Sequence, residues 1–352
     1  MKVNLDFWKN RSVFLTGHTG FKGGWIALWL ADMGARVHGY SLDAMTNPSF
    51  FKETRLEERI VSSTIANIQD FSALKAAILF AKPSVIIHMA AQSLVLESYD
   101  SPLETFKTNI IGTANLLEVA RKIETVQAIV NITTDKCYEN REQLKPYVEN
   151  DKLGGYDPYS SSKACAELVS AAYRNSFLEK SGIKIATVRA GNVIGGGDWA
   201  KNRLIPDFFR SVDTDKKLFI RSPDSVRPWQ HVLEPLIGYI LLAEKLVIEG
   251  DDFADAWNFG PQKNDSKAVS WVINYLAQKT PNSRWDIDKS IRPHEAGLLL
   301  LDSSKARTYL NWSPRWSLDI ALDKIIEWHQ AWKENEPMDE ISISQIKSYL
   351  YD

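Results

Sequence analysis

Tyr159 and Lys163 stand four residues apart in Tyr159-Ser160-Ser161-Ser162-Lys163, a spacing that sends both side chains from one face of a helix. A tyrosine of ordinary pKa, about 10, is a poor base at neutral pH. A lysine ammonium and a cationic nicotinamide beside it favour the phenolate and bring it into working range. Alone, such a pair also arises by chance on an exposed helix. It gains weight from Thr16-Gly17-His18-Thr19-Gly20-Phe21-Lys22-Gly23, which follows the apolar run Val13-Phe14-Leu15. Glycines there permit a tight turn, close backbone approach to a pyrophosphate and a helix lying close on its sheet. The helix N-terminus offers free N–H groups and a partial positive charge. Any strand-to-helix turn can hold glycines, so it is the two signals together that indicate a nicotinamide cofactor and hydride chemistry.

A third cluster, Thr133-Thr134-Asp135-Lys136, ends an expected strand. Ligands of open α/β sheets sit at the carboxyl ends of strands, which turns these side chains to the cleft. Thr134 can bond a sugar hydroxyl, and Asp135 with Lys136 forms a candidate acid and base; Asp and Lys are also ordinary turn residues. His88 either borders the cofactor or is a satisfied core histidine. The twelve tryptophans read as packing residues.

The elements that must hold these groups alternate between strand and helix. Strands are expected at 12–15, 37–40, 60–68, 85–89, 128–133 and 185–189, and helices at 23–33, 71–80, 105–122 and 159–180. Gly34 suits a helix end, and Asp157 with Pro158 suits an N-cap and first helical position. This alternation implies an α/β fold with a doubly wound parallel sheet. Beyond Gly191 come a Gly195-Gly196-Gly197-Asp198 loop, helices at 205–212, 233–248 and 318–333, and a strand at 256–259 that returns to the sheet. The expected division is a Rossmann domain of 1–191 plus 233–261 and a smaller mixed α/β substrate domain of 192–232 plus 262–334. Residues 335–352 read as a polar, loosely packed tail. No internal repeat or low-complexity tract is present.

Composition narrows the partners. The 352 residues carry a net charge of −2, with 44% hydrophobic and 24% charged residues, which is ordinary globular usage. Such a balance gives no reason to expect nucleic acid or an anionic membrane, so an anionic substrate needs a local arginine cluster. Two cysteines, Cys137 and Cys165, suggest neither a disulfide framework nor a metal site. No signal peptide and no apolar run of about 18 residues is visible, so a cytoplasmic protein is expected.

The segments 16–23, 88–92, 133–136, 159–163 and 189–198 resemble the extended short-chain dehydrogenase/reductases that modify nucleotide sugars. The local stretches 16–25, 227–232 (Arg-Pro-Trp-Gln-His-Val) and 292–297 (Arg-Pro-His-Glu-Ala-Gly) are most similar to the 4,6-dehydratases that act on CDP-glucose. The resemblance spans about residues 5–335. It implies NAD, contacted by Gly17, His18, Thr19, Gly20, Phe21, Lys22 and Gly23, by Asn67 and Ile68, by Ala90, Ala91 and Gln92, and by Thr133, Tyr159, Lys163 and Arg189. Asp43, twenty residues after Gly23, is near the spacing of a ribose-binding acid, although Ser41 occupies that acid's usual place. No arginine follows to meet a 2′-phosphate, which favours NAD over NADP.

The implied chemistry is an internal redox dehydration in deoxysugar biosynthesis of the lipopolysaccharide O-antigen type. Tyr159, supported by Lys163 and Thr134, takes the 4-hydroxyl proton as hydride passes from C4 to NAD. Water leaves from C5 and C6, and hydride returns to C6. Asp135 fits as the acid for the 6-hydroxyl. Lys136 stands where related dehydratases carry glutamate, and is the candidate base for C5. Asn192, Arg203, Arg227 and Arg292 are candidates for the nucleotide diphosphate, arginine's fork suiting phosphate. The resemblance also implies a homodimer or homotetramer through the helices at 105–122 and 159–180. A C4 epimerase, a dehydratase of another nucleotide sugar and an NAD-responsive binding protein share parts of this pattern. The acid and base after Thr134 argue for dehydration, and an intact Thr134, Tyr159 and Lys163 argues for turnover.

Overall fold

A computed structural model describes residues 2–288 and 297–351. Six strands appear in chain order as β1 (Ser12–Thr16), β2 (Arg36–Ser41), β3 (Ser62–Ile65), β4 (Val85–His88), β5 (Ala128–Ile132) and β6 (Lys184–Ala190). With Ala256–Phe259 they form one seven-stranded sheet. All pairs are parallel, in the order β3, β2, β1, β4, β5, β6, Ala256–Phe259. The order reverses between β1 and β4, the switch point where doubly wound folds open a crevice.

Both faces of this sheet are buried, and the strands show it. Val85 and Ile87 of β4 enter one apolar core while Ile86 enters the other. Ala128 and Val130 of β5 go one way and Ile129 the other. That is why these strands read as continuous β-branched runs rather than alternating ones. Trp8, Trp25, Trp29, Trp257, Trp312 and Trp328 are fully buried, so at least these six tryptophans are packing residues.

A separate apolar core forms beside the sheet. Ile205 and Phe208 of the helix Leu204–Asp213, Val272 and Leu276 of Val269–Lys279, and Leu322 and Ile325 of Leu318–Lys333 share it with Leu218, Ile220 and Trp229. Short strand pairs, Val226–Pro228 with Ser266–Ala268 and Leu218–Ile220 with Trp285–Ile287, brace it.

Three local expectations change. The strand expected over 60–68 is only Ser62–Ile65, because Asn67 starts a turn by accepting from the Gln69 amide and Asp70 caps the next helix through the Ser72 and Ala73 amides. The helix expected over 159–180 is regular over Pro158–Tyr173 and then widens through Arg174–Leu178. The expected loose tail is instead the helix Met338–Tyr351. It buries Met338, Ile346 and Tyr349 against the helices Phe21–Asp32 and Leu318–Lys333. Apolar positions at three- and four-residue spacing supply that face; its Ser, Asp and Lys content masks them. No helix among the described residues is long and apolar enough to cross a membrane.

Candidate active site

The loop 17–23 packs backbone on backbone. Gly17 has φ +81°, and a Cβ there would lie 2.9 Å from the Ala90 nitrogen. A Cβ on Gly23 would sit 1.9 Å from the Gly17 carbonyl oxygen. Only glycine permits either approach. The helix Phe21–Asp32 starts at Gly20 with no side chain capping its N–H groups, which leaves them for an anion. This cradle fits the pyrophosphate of a dinucleotide. Thr19 holds the neighbouring strand end, sharing a 2.8 Å bond with Ser41 and donating to the Leu42 carbonyl. Asp43 is exposed just beyond, its carboxylate taken by the Ala44 amide.

His18 is buried, bonded to Ser63, and burial lowers its pKa to about 4. His88 turns out to be a satisfied core histidine. Thr113 donates to the Asn109 carbonyl, so its oxygen accepts from His88 Nε2. His88 Nδ1 then accepts from Thr16, whose oxygen in turn takes the Met89 and Ala90 amides. That chain fixes the segment of Ala90, Ala91 and Gln92 over the switch point. Gln92 is held further by Asn109, which also donates to Ser162 at the start of the Tyr159 helix. Asn67 gives its carbonyl to Tyr40, and Ile68 is buried against Gly112.

The reacting cluster lies at the carboxyl end of β5. Asp157 caps the Pro158–Tyr173 helix through the Ser160 amide, which orients Tyr159 and Lys163. Both are buried, 7% and 6% exposed. Lys163 Nζ donates to the Ile132 carbonyl at 2.9 Å, and burial lowers its pKa to about 8. Burial raises Tyr159 to about 12, while a hydrogen bond with Thr134 and the charge of Arg203 pull it back. Thr134 donates to Asp135 Oδ1 at 3.1 Å. Asp135 Oδ2 is buried with no hydrogen-bond partner among the described residues. Desolvation raises the Asp135 pKa, against the pull of Lys136 and Arg227. Lys136 follows, half-buried.

A buried tyrosine, lysine and carboxyl near a glycine cradle bring candidate acid–base groups together at one place. The sequence profile described as GDP-mannose 4,6 dehydratase matches residues 14–325. The chain belongs to this family. It is 50% identical to the CDP-glucose 4,6-dehydratase of Salmonella typhimurium over 99% of this chain and 98% of that protein. The dTDP-glucose 4,6-dehydratase of Haemophilus influenzae is 23% identical over 90% of this chain and 97% of that protein. Among solved structures, a Stenotrophomonas maltophila UDP-glucose 4-epimerase with bound NAD superposes with a TM-score of 0.80 at 20% identity, covering 92% of this chain and 99% of that one. The Bacillus anthracis dTDP-glucose 4,6-dehydratase in complex with NAD gives 0.74 at 21%, covering 93% and 99%.

Other sequence candidates of this family member fall differently. Thr133 points away from Thr134 and donates to Glu167 at 2.5 Å. Arg189, expected at the cofactor, is instead consumed by structure: it bonds both Glu167 oxygens, the Tyr138 hydroxyl and the Glu149 carbonyl. Its side chain is 4% exposed, and its donors are directed into the core. Asn192 is half-buried, and its carbonyl accepts from the Gln230 amide. Arg203 is tied to Asp198 at 2.9 Å and reaches Ser93 at 3.1 Å, which bridges the cleft. Arg227 is buried close enough to Asp135 to act on its charge. Arg292 lies outside the described residues. Tyr239 is a group the sequence reading missed: it is fully buried, it receives a bond from Lys22, and the charges of Asp135 and Tyr159 reach it. In sequence it is one apolar position of a sixteen-residue helix, with no local sign of its place.

Proposed function

We propose that this chain is an NAD-dependent dehydratase that converts CDP-glucose to CDP-4-keto-6-deoxyglucose. The observation that carries the reading is the buried Asp135 carboxyl beside Thr134, Tyr159 and Lys163. An oxidation at C4 needs the tyrosine and lysine; a loss of water needs a proton donor for the 6-hydroxyl. NAD, held by the loop 17–23, when bound supplies a cationic ring and the acceptor that takes hydride from C4 and returns it to C6. Tyr159, bonded to Thr134, takes the 4-hydroxyl proton, and Lys163 holds the strand end against it. Lys136 takes the proton from C5. Asp135 gives its proton to the departing 6-hydroxyl. Asn192, Arg203 and Arg227, with Arg292, bind the nucleotide diphosphate between residues 192–232 plus 262–334 and the Rossmann domain.

Exposed Leu103, Ile111 and Leu168, at 72%, 52% and 60%, support association through the helices that carry them, as a homodimer or homotetramer. The nucleotide-sugar and NAD pools and two free cysteines support a cytoplasmic setting.

The purified protein is incubated with CDP-glucose in deuterated water, with and without NAD, and followed by mass spectrometry and by the absorbance of a 4-keto sugar in alkali. Loss of water with one deuterium at C5 is the expected result. An isomer of unchanged mass overturns dehydration in favour of epimerisation. In Lys136→Met the deuterium at C5 is expected to be lost; undiminished exchange removes Lys136 from its role.

A further inference from the structure

An arginine that meets a diphosphate gives up its rotamers on binding unless something has already aimed it. Arg203 is aimed, and from one side. We propose that Asp198 is the positioning residue that sets Arg203 over the cleft for the diphosphate of the nucleotide sugar. This inference rests on the nucleotide-sugar reading above.

Asp198 follows the loop Gly195-Gly196-Gly197, whose backbone lies directly on aromatic rings. A Cβ on Gly196 would sit 2.2 Å from the Trp328 ring, and one on Gly197, at φ +78°, 2.5 Å from the Phe50 ring. Trp328 is fixed in turn, its Nε1 donating to Ser342 of the C-terminal helix at 3.0 Å. Trp25, on the helix that begins at the glycine cradle, donates its Nε1 to the Gly196 carbonyl at 2.9 Å. The helix that shapes the cofactor cradle therefore also holds the loop that carries Asp198. The Asp198 side chain is 7% exposed. Its Oδ1 accepts the Ala200 amide at 3.1 Å, and its Oδ2 accepts one arm of Arg203 at 2.9 Å.

The other arm of Arg203 is held more weakly. It donates at 3.1 Å to the neutral hydroxyl of Ser93, which is exposed. Ser93 follows Gln92, whose ties to Asn109, and from Asn109 to Ser162, keep it beside the helix of Tyr159. Arg203 thus spans the cleft from a buried anion to an exposed hydroxyl. A phosphate oxygen is a stronger acceptor for a guanidinium than a hydroxyl is, so an entering diphosphate takes the arm that Ser93 holds. Asp198 keeps its own arm, because letting go leaves a nearly buried carboxylate without its cation. The fixed fork of arginine serves both anions at once; the ammonium of lysine is a point charge without such a fork.

Asp198→Asn keeps the shape and the acceptor for the Ala200 amide and removes the charge. CDP binding is measured by calorimetry, turnover of CDP-glucose by steady-state kinetics, and NAD binding by tryptophan fluorescence. In Asp198→Asn the Kd for CDP and the KM for CDP-glucose are expected to rise about tenfold, with kcat and NAD affinity within about threefold of the parent. Arg203→Gln is expected to weaken CDP binding about thirtyfold, and adding Asp198→Asn to it to change that by less than about twofold, because the carboxylate acts through the arginine. Arg203→Lys is expected to match Asp198→Asn; parental CDP affinity there means that charge alone suffices, and overturns the proposal. Ser93→Ala is expected to leave CDP affinity within about threefold. A loss equal to that of Asp198→Asn makes Ser93 the residue that sets the arginine, and overturns it too. So do unchanged CDP affinity in Asp198→Asn, additive losses in the double variant, or a parallel loss of NAD affinity, which makes Asp198 a support of the fold. A parent that binds CDP but removes no water from CDP-glucose overturns the dehydratase reading alone, and the CDP titrations still decide the role of Asp198. A parent that binds no CDP overturns that role.

Discussion

Asp135 and Glu167 are both buried carboxyl groups, at 2% and 4% exposure, and they answer burial in opposite directions. Desolvation raises Asp135. Glu167 is lowered despite the same penalty, because Arg189 and the hydroxyls of Thr133 and Thr187 all donate to it. The adjacent threonines make the split: Thr133 serves Glu167 and Thr134 serves Asp135. Glu167 also shares a helix face with Lys163, one turn away, yet Lys163 donates to the Ile132 carbonyl. Burial alone thus does not mark a group for chemistry. Donors gathered around a buried carboxylate hold its pKa down, and burial with fewer of them raises it.

The contrast can be broken from either side. Tyr159→Phe, on the chemical side, is expected to lower kcat/KM by about 10³-fold or more, with urea unfolding unchanged within about 1 kcal/mol. Glu167→Gln, on the architectural side, leaves the Arg189 guanidinium buried without its anion and is expected to cost about 3–5 kcal/mol in urea unfolding. A third buried carboxyl shows that donors do not always outweigh burial. Glu234 accepts from the Tyr349 hydroxyl and from the Arg315 and Trp316 amides, yet burial still raises it from 4.5 to about 7. The folded chain then binds more protons than the unfolded one between those values, so this contribution to stability is full below about pH 4 and falls as pH rises toward 7. Glu234→Gln is expected to flatten the pH dependence of unfolding by about 3 kcal/mol over that window. Asp135→Asn is expected to slow water loss by about 10²-fold while moving stability by under about 1 kcal/mol, the mirror image of Glu167→Gln.

The parts legible in the sequence were those written in short range. Gly17 and Gly23 stand where backbones touch, Asp157 caps the helix that presents Tyr159 and Lys163, and the apolar runs of β4 and β5 lie between two cores. The C-terminal helix was missed because its buried face is thin and its composition polar. Arg189 was misread because an arginine beside a cleft motif looks the same whether it faces the ligand or the core. Its ring of partners, Glu167, Tyr138 and Glu149, comes from three different segments.

By itself, then, the sequence determined the alternation of elements, the glycine loop and the helical spacing of the tyrosine and lysine, because each depends on residues within a turn or two of one another. Tertiary structure alone decided which way burial and partners move each buried carboxyl's pKa, which arginine is consumed by the core, and that Lys22 meets Tyr239. Charge state is set by desolvation and by partners brought from distant segments, and no local pattern encodes either.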